Sequence, residues 1–177
     1  MTINIKLAVL IIWIIPLSLG VMVKKSTGLG GELREVRKNG MTFRWAFEGD
    51  RLQCQLEAPA QGWLAVGFNP KSGLTETSLI MGAVHADGRT RIEDHWIIAP
   101  GFHRPVTELE QSSALADVKG WQNAKGSSVS FSLPLKAASK FHHDLTIGDS
   151  YHLLLAYSRS DDFDHHSSMR SSIEIKL

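Results

Sequence analysis

From residue 41 onward, apolar and polar residues take turns along the chain. In "MTFRWAFEG", Met41, Phe43, Trp45 and Phe47 alternate with Thr42, Arg44, Ala46 and Glu48. "RLQCQLE" repeats the pattern through Leu52, Cys54 and Leu56, and the "EGD" between the two runs marks a hairpin turn. A period of two sends successive side chains to opposite faces of a strand, so each run has one buried face. "GWLAVGF" is almost wholly apolar, which predicts a strand covered on both faces. "SLIMGAVHA" and "RTRIEDHWII" form a further pair about Asp87 and Gly88. "SSVSFSLPL" sets Val129, Phe131 and Leu133 among serines, and "YHLLLAYS" and "SSIEIKL" close the chain. No long amphipathic helix is written into the sequence; "PLKAASKFHHDL" predicts only a short helical turn. "IIAPGFHRPVTELEQSSALADV" has little strand pattern and reads as a long connection, in which Phe102, His103 and Arg104 are placed to rim a pocket. About nine or ten short strands separated by turns predict an all-β protein, an antiparallel β-sandwich.

Before the strands lies a different pattern. Leu7 to Val23, "LAVLIIWIIPLSLGVMV", is apolar and uncharged, with Lys6 ahead of it and Lys24 and Lys25 behind. Its length falls between a secretory apolar core and a membrane-spanning helix. Residues 1–25 therefore read as a signal peptide or membrane anchor, 26–31 as a small-residue linker, and 32–177 as the sandwich domain. Either fate of the segment exports the domain from the cytoplasm, to the periplasm or beyond.

Composition adds exclusions. With 43% hydrophobic and 21% charged residues, the chain suits one ordinary globular domain. The formal net charge of +1 and the lack of a Lys/Arg run speak against nucleic acid. Cys54 is the single cysteine, so no internal disulfide forms, and its place on an apolar strand face predicts a buried thiol.

The chemistry is concentrated late in the chain. No G-x-S-x-G, H-E-x-x-H, P-loop or G-x-G-x-x-G motif is present. In "EDHW", Asp94 and His95 fall on opposite faces of a strand and cannot act as a local pair. Eight histidines include the neighbours His142-His143 and His165-His166; in an extended chain only one of each pair serves a given site. The loop "SRSDDFDHHSSMR" gathers Asp161, Asp162, Asp164, both histidines and Met169. Its aspartates suit either the capping of backbone amides, with Arg170 paired to one of them, or a cation site, though the spacing fits no calcium loop. Trp96 and Trp121 offer faces on which a sugar ring would stack.

"GWLAVGFNP", "SLIMGAV", "IEDHW" and the terminal "HSSMR" together resemble the DOMON domain, over roughly Glu32 to Leu177. The resemblance implies an extracytoplasmic β-sandwich that binds b-type haem or a sugar-like ligand and, in many members, takes part in electron transfer without being a catalyst. It implies a histidine and a methionine on the haem iron, a pair suited to cycling between ferrous and ferric states. The histidine maps onto His166, beside His165. The methionine position holds Leu74, which has no ligand atom, so Met81 stands as the substitute thioether, with His85 and His103 as other second ligands. Met169 is too near His166 in sequence to face it across a haem plane. Trp96 is the aromatic expected at the cofactor. Partners would be a redox protein or a sugar, and the membrane if the N-terminal segment is retained.

Overall fold

A computed structural model describes residues 31–177 except residue 111; the expected signal or anchor lies outside the described residues. Among the described residues no helix is long and apolar enough to cross a membrane. The alternating runs become antiparallel strands in two stacked sheets. The first sheet has the order β1-β2-β3-β9-β8, with β1 Arg34–Lys38, β2 Met41–Glu48, β3 Arg51–Ala58, β8 Ala116–Asn123 and β9 Gly126–Pro134. The second has the order β11-β10-β4-β5-β6-β7, with β4 Leu64–Asn69, β5 Ser78–Val84, β6 Thr90–Ala99, β7 Phe102–Pro105, β10 Ser150–Tyr157 and β11 Met169–Lys176. The sandwich therefore has eleven strands among the described residues, not nine or ten.

The strands with no clear alternating run in the sequence are β1, β7 and β8, all at sheet edges. An edge strand is partnered on one side only, so its sequence need not alternate cleanly. The expected long connection contains β7, the short helix α1 (Val106–Glu110) and the start of β8. The stretch 134–145, expected to make a short helical turn, forms no helix: after the end of β9 it runs through bends and one turn closed by His142 N donating to Ser139 O at 3.2 Å.

The inner faces meet in one core. Phe43, Leu52, Cys54, Leu56, Val129 and Phe131 from the first sheet pack with Leu64, Val66, Phe68, Ile80, Leu153 and Leu155 from the second. Cys54 is buried as expected, and burial pushes its thiol pKa well up. The sheets approach closely at Gly82, where an added Cβ would meet Val129 Cγ1 at 2.9 Å.

A second apolar cluster lies on the outer face of the six-stranded sheet. Ala65, Leu79, Met81, Ala83, Ile97, Leu154 and Ala156 point away from the core and are still buried, with Trp63 and Phe163 among them. This is why β4 and β5 are buried at every position and why "GWLAVGF" carries no alternation.

Candidate functional site

The cover over that second cluster is the loop between β10 and β11, residues 158–168. Trp63 at the mouth of β4 clamps it. Its backbone N–H donates to Ser160 O at 2.9 Å, its carbonyl accepts from Ser158 N at 2.8 Å, and its indole Nε1–H donates to His165 O at 3.1 Å. Gly62 permits this approach: a Cβ there would lie 2.5 Å from Ser158 O. Within the loop, Ser158 Oγ donates to His166 O (3.1 Å) and accepts from Ser160 N (3.2 Å), while Asp162 Oδ1 accepts from Asp164 N at 3.0 Å. Asp162 thus caps a backbone amide, one of the two expected uses of the aspartates.

Phe163 is the loop's anchor. It is buried, with its ring edge-on to His95 at 5.8 Å and the Arg91 guanidinium 4.2 Å from its centroid. Asp161 Oδ2 meets His85 Nδ1 at 3.0 Å. Arg170 pairs with none of the loop aspartates among the described residues. The group that holds the loop electrostatically is Arg91, from β6, through the Phe163 face. No cluster of three or more His, Cys, Asp or Glu side chains suited to a metal ion exists among the described residues.

Between the loop, the β6–β7 hairpin and the outer sheet face lies a half-open cleft of about 130 Å³. Met81, Leu79, Ala65 and Leu154 line its floor, Leu74 and Ile97 one flank, and His165, His166 and Arg170 its mouth. Met81 shares a face with Leu79 and Ala83, as strand alternation requires, and its side chain belongs to the cleft and not to the inter-sheet core. His165 and His166 are exposed at the rim. The structure therefore brings four of the candidates, Met81, His103, His165 and His166, to one place, with Phe102 beside them at the rim, while His85 lies outside the cleft lining.

Trp96 does not join them. On β6 the outer face carries Glu93, His95 and Ile97, so Trp96 falls on the other face. There it packs against Phe141 and His143, with ring centroids at 6.1 and 5.2 Å. Trp63, which the sequence reading passed over, is the tryptophan that shapes the cleft. Its position directly before the apolar strand was the available signal.

At the edge of the cleft, His103, one of its lining residues, faces the buried His95, Nδ1 to Nδ1 at 3.0 Å, one ring donating and the other accepting. Burial, reinforced by His103, pushes the pKa of His95 down to about 4; burial also lowers His103, against the pull of Asp164. Both rings are therefore neutral near pH 7 and form a rigid wall under the hairpin. On the inner face Asp94 is buried and paired with His142 (Oδ2 to Nε2, 3.0 Å), and it accepts from Ala114 N at 2.8 Å. Burial works to raise its pKa, but the bonds from His142, Ala114 and Ser113 outweigh that and hold it low. Asp94 and His95 do point apart, and so do the neighbours His142 and His143; His143 Nε2–H donates to Glu76 O at 2.6 Å.

The sequence profile of the DOMON domain matches residues 37–158, more than half of the chain. The chain belongs to the DOMON domain family. Met81 and Trp96 lie within the matched range, and His165 and His166 just beyond it. Among solved structures, the chain is similar to the cytochrome domain of Myriococcum thermophilum cellobiose dehydrogenase, at 12% identity, with 82% of this chain and 81% of that one covered and a TM-score of 0.49. It is also similar to a Bacteroides uniformis protein to which carbohydrate binding is ascribed, at 14% identity over 81% of this chain and 78% of that one, with a TM-score of 0.40. Likenesses this distant bear on neither ligand nor mechanism.

Proposed function

We propose that this DOMON domain is a non-catalytic, extracytoplasmic binding module whose ligand enters the cleft on the outer face of the six-stranded sheet. The observation that carries this is the second apolar cluster. A sandwich needs only one core, yet β4, β5 and β10 bury apolar side chains on both faces, under a loop that leaves one side open. The floor is apolar, and the polar groups His165, His166 and Arg170 stand together at the mouth. That arrangement suits a flat, mostly apolar ligand with an acidic edge turned outward.

The sharpest form of the proposal is b-type haem, with one-electron transfer to a redox partner protein. The donors match in kind: an imidazole from His166, a thioether from Met81, and a guanidinium from Arg170 for a propionate. The room does not match. Ligand pockets of this kind usually measure about 300–1,000 Å³, and this cleft holds about 130 Å³ with Phe163 and Leu74 packed in its walls. As it stands, the site does not fit a porphyrin; uptake requires Phe163 and its loop to withdraw.

Titration of the purified full-length chain with haemin, followed by dithionite, tests that form. Haem binding predicts a sharp Soret band with split α and β bands on reduction, lost in His166→Ala and enhanced in Phe163→Ala, which enlarges the cleft. A free-haemin spectrum in all three proteins sinks the cytochrome reading and leaves a smaller ligand. The cleft itself is then probed with anilinonaphthalene sulfonate, a flat aromatic anion. Its affinity should drop about tenfold, or 1.4 kcal/mol, in Leu74→Trp. No binding by the native chain would end the proposal for this cleft.

A further inference from the structure

An open sheet ends in edge strands, and each edge shows a row of unpaired N–H and C=O groups on which another strand can add. The edges of this sandwich are β1, β7, β8 and β11, and all but the last are blunted. β1 is five residues long and carries the cations Arg34, Arg37 and Lys38. β7 has four residues and ends in Pro105. β8 is interrupted by a bulge between Ala116 and Lys119. β11 has none of these devices. It runs for eight residues, Met169–Lys176, in unbroken register with β10 and without proline or glycine.

The free side of β11 is regular as well. Leu177 N donates to Asp149 O at 3.0 Å, just ahead of β10. Along an antiparallel pair the bonding residues alternate, so Ile175, Ile173, Ser171 and Met169 bond to β10. Arg170, Ser172, Glu174 and Lys176 therefore turn their N–H and C=O groups outward, where the described residues supply no strand to meet them. The side chains of the same residues are exposed on the outer face of the sheet. Arg170, Glu174 and Lys176 have no ion-pair partner among the described residues, although ion pairs are common elsewhere on the surface. On the inner face Met169, Ser171 and Ile173 are only half-buried, at the open side of the core where Val36 of β1 also stands half-buried.

We propose that β11 is the interface of a homodimer, two copies pairing antiparallel about Ser172 and joining their six-stranded sheets. The charges select the register. With Ser172 opposite Ser172 of the second copy, Arg170 of each copy faces Glu174 of the other. On the inner face Met169 then meets Ile175, and Ser171 meets Ile173. Sliding one strand by two residues sets Arg170 against Lys176 in one direction and leaves Glu174 opposite Ser168 in the other. Opposite charges directly across a strand pair stabilise it, and like charges oppose it. The two-fold axis through Ser172 stands perpendicular to the joined sheet, so both clefts open on the same face. Lys176 of one copy comes opposite Ser168 of the other, at the end of the 158–168 loop, and the interface thus borders the mouth of the cleft. Arg170 has more N–H donors than one carboxylate uses, so it can meet Glu174 of the second copy and a ligand together. The dimer does not depend on what the cleft binds.

Sedimentation of the full-length chain in mild detergent tests the pairing. The chain should sediment as a dimer that dissociates on dilution. Arg170→Glu and Glu174→Arg each set like charges across both pairs, and each should weaken the dimer about tenfold or more. Mixing the two variants should restore it, because each then supplies the charge the other needs; restoration also shows that both are folded. Ser172→Cys reads the register. Opposite residues of a bonded antiparallel pair stand about 5.5 Å apart at Cα, within disulfide reach. Mild oxidation should cross-link this variant and not Lys176→Cys, while the native Cys54 is buried and takes no part. A chain that stays monomeric overturns the proposal, as does a dimer that both charge variants leave intact. Weakened dimers that mixing does not restore, or equal cross-linking through Lys176→Cys, overturn it too.

Discussion

Trp63 shows how much one side chain decides at this site. Its backbone and indole together make three of the bonds that hold the 158–168 loop over the outer face. Trp63→Phe keeps the ring's apolar bulk and removes only the bond from Nε1 to His165 O. The expected cost is about 1 kcal/mol, the usual net worth of one such hydrogen bond. Most of it should be local, so amide exchange should quicken at residues 163–167 while the sheets stay protected. Uniform protection across loop and sheets in the variant would show that the indole bond does not hold the loop. The same loop shows why "DDFDHH" is hard to interpret from residue types alone. Asp161 meets His85 through Oδ2 while its buried Oδ1 has no partner among the described residues, Asp162 caps a backbone amide, and the apolar residue between the acids, Phe163, is the anchor.

The β6–β7 hairpin and the 158–168 loop are joined through the rings of His95, His103 and Phe163. The buried His95 ring faces His103 and Phe163, with Glu93 and Arg91 on its own strand. Its pKa falls from 6.5 to about 4, with burial the first cause. Between those values the unfolded chain binds a proton that the folded chain refuses, so stability is complete above pH 6.5 and declines as the pH falls toward 4. The whole shift corresponds to about 3 kcal/mol at most. Denaturant titrations across that range should show a steeper acid decline in the native chain than in His95→Gln, which cannot titrate. Parallel declines would remove His95 as the cause. Acid should also release the loop before the sheets, since the paired rings lie between the loop and β7. The two loops that a reading by pattern treats as connections are thus tied to the sheet by buried pairs, Asp94–His142 inside and His95–His103 outside.

At the scale of the molecule, the two sheets must sit close enough to make one core while the second sheet keeps an extra apolar face for a ligand. Gly82 sets the first distance. Gly82→Ala would push a Cβ against Val129 Cγ1 at 2.9 Å, an overpacking worth about 1–3 kcal/mol. Chemical denaturation should show that loss, and Val129→Ala in the same chain should recover much of it; independent, additive losses would place the strain elsewhere. The sequence by itself determined the sandwich, the central strands, the burial of Cys54 and the opposed directions of Asp94 and His95. Each follows from alternation over a few neighbouring residues, which strand geometry enforces locally. Only the tertiary structure decided the edge strands β1, β7 and β8, the placement of Trp96 away from Met81 and His166, and the exposure of Trp121. It also decided that the apolar outer face is partly covered by a loop held by the Trp63 indole, a bond that joins residues 102 positions apart. Such contacts depend on which strands become neighbours. That choice is made by the packing of the whole chain, and no short window of sequence contains it.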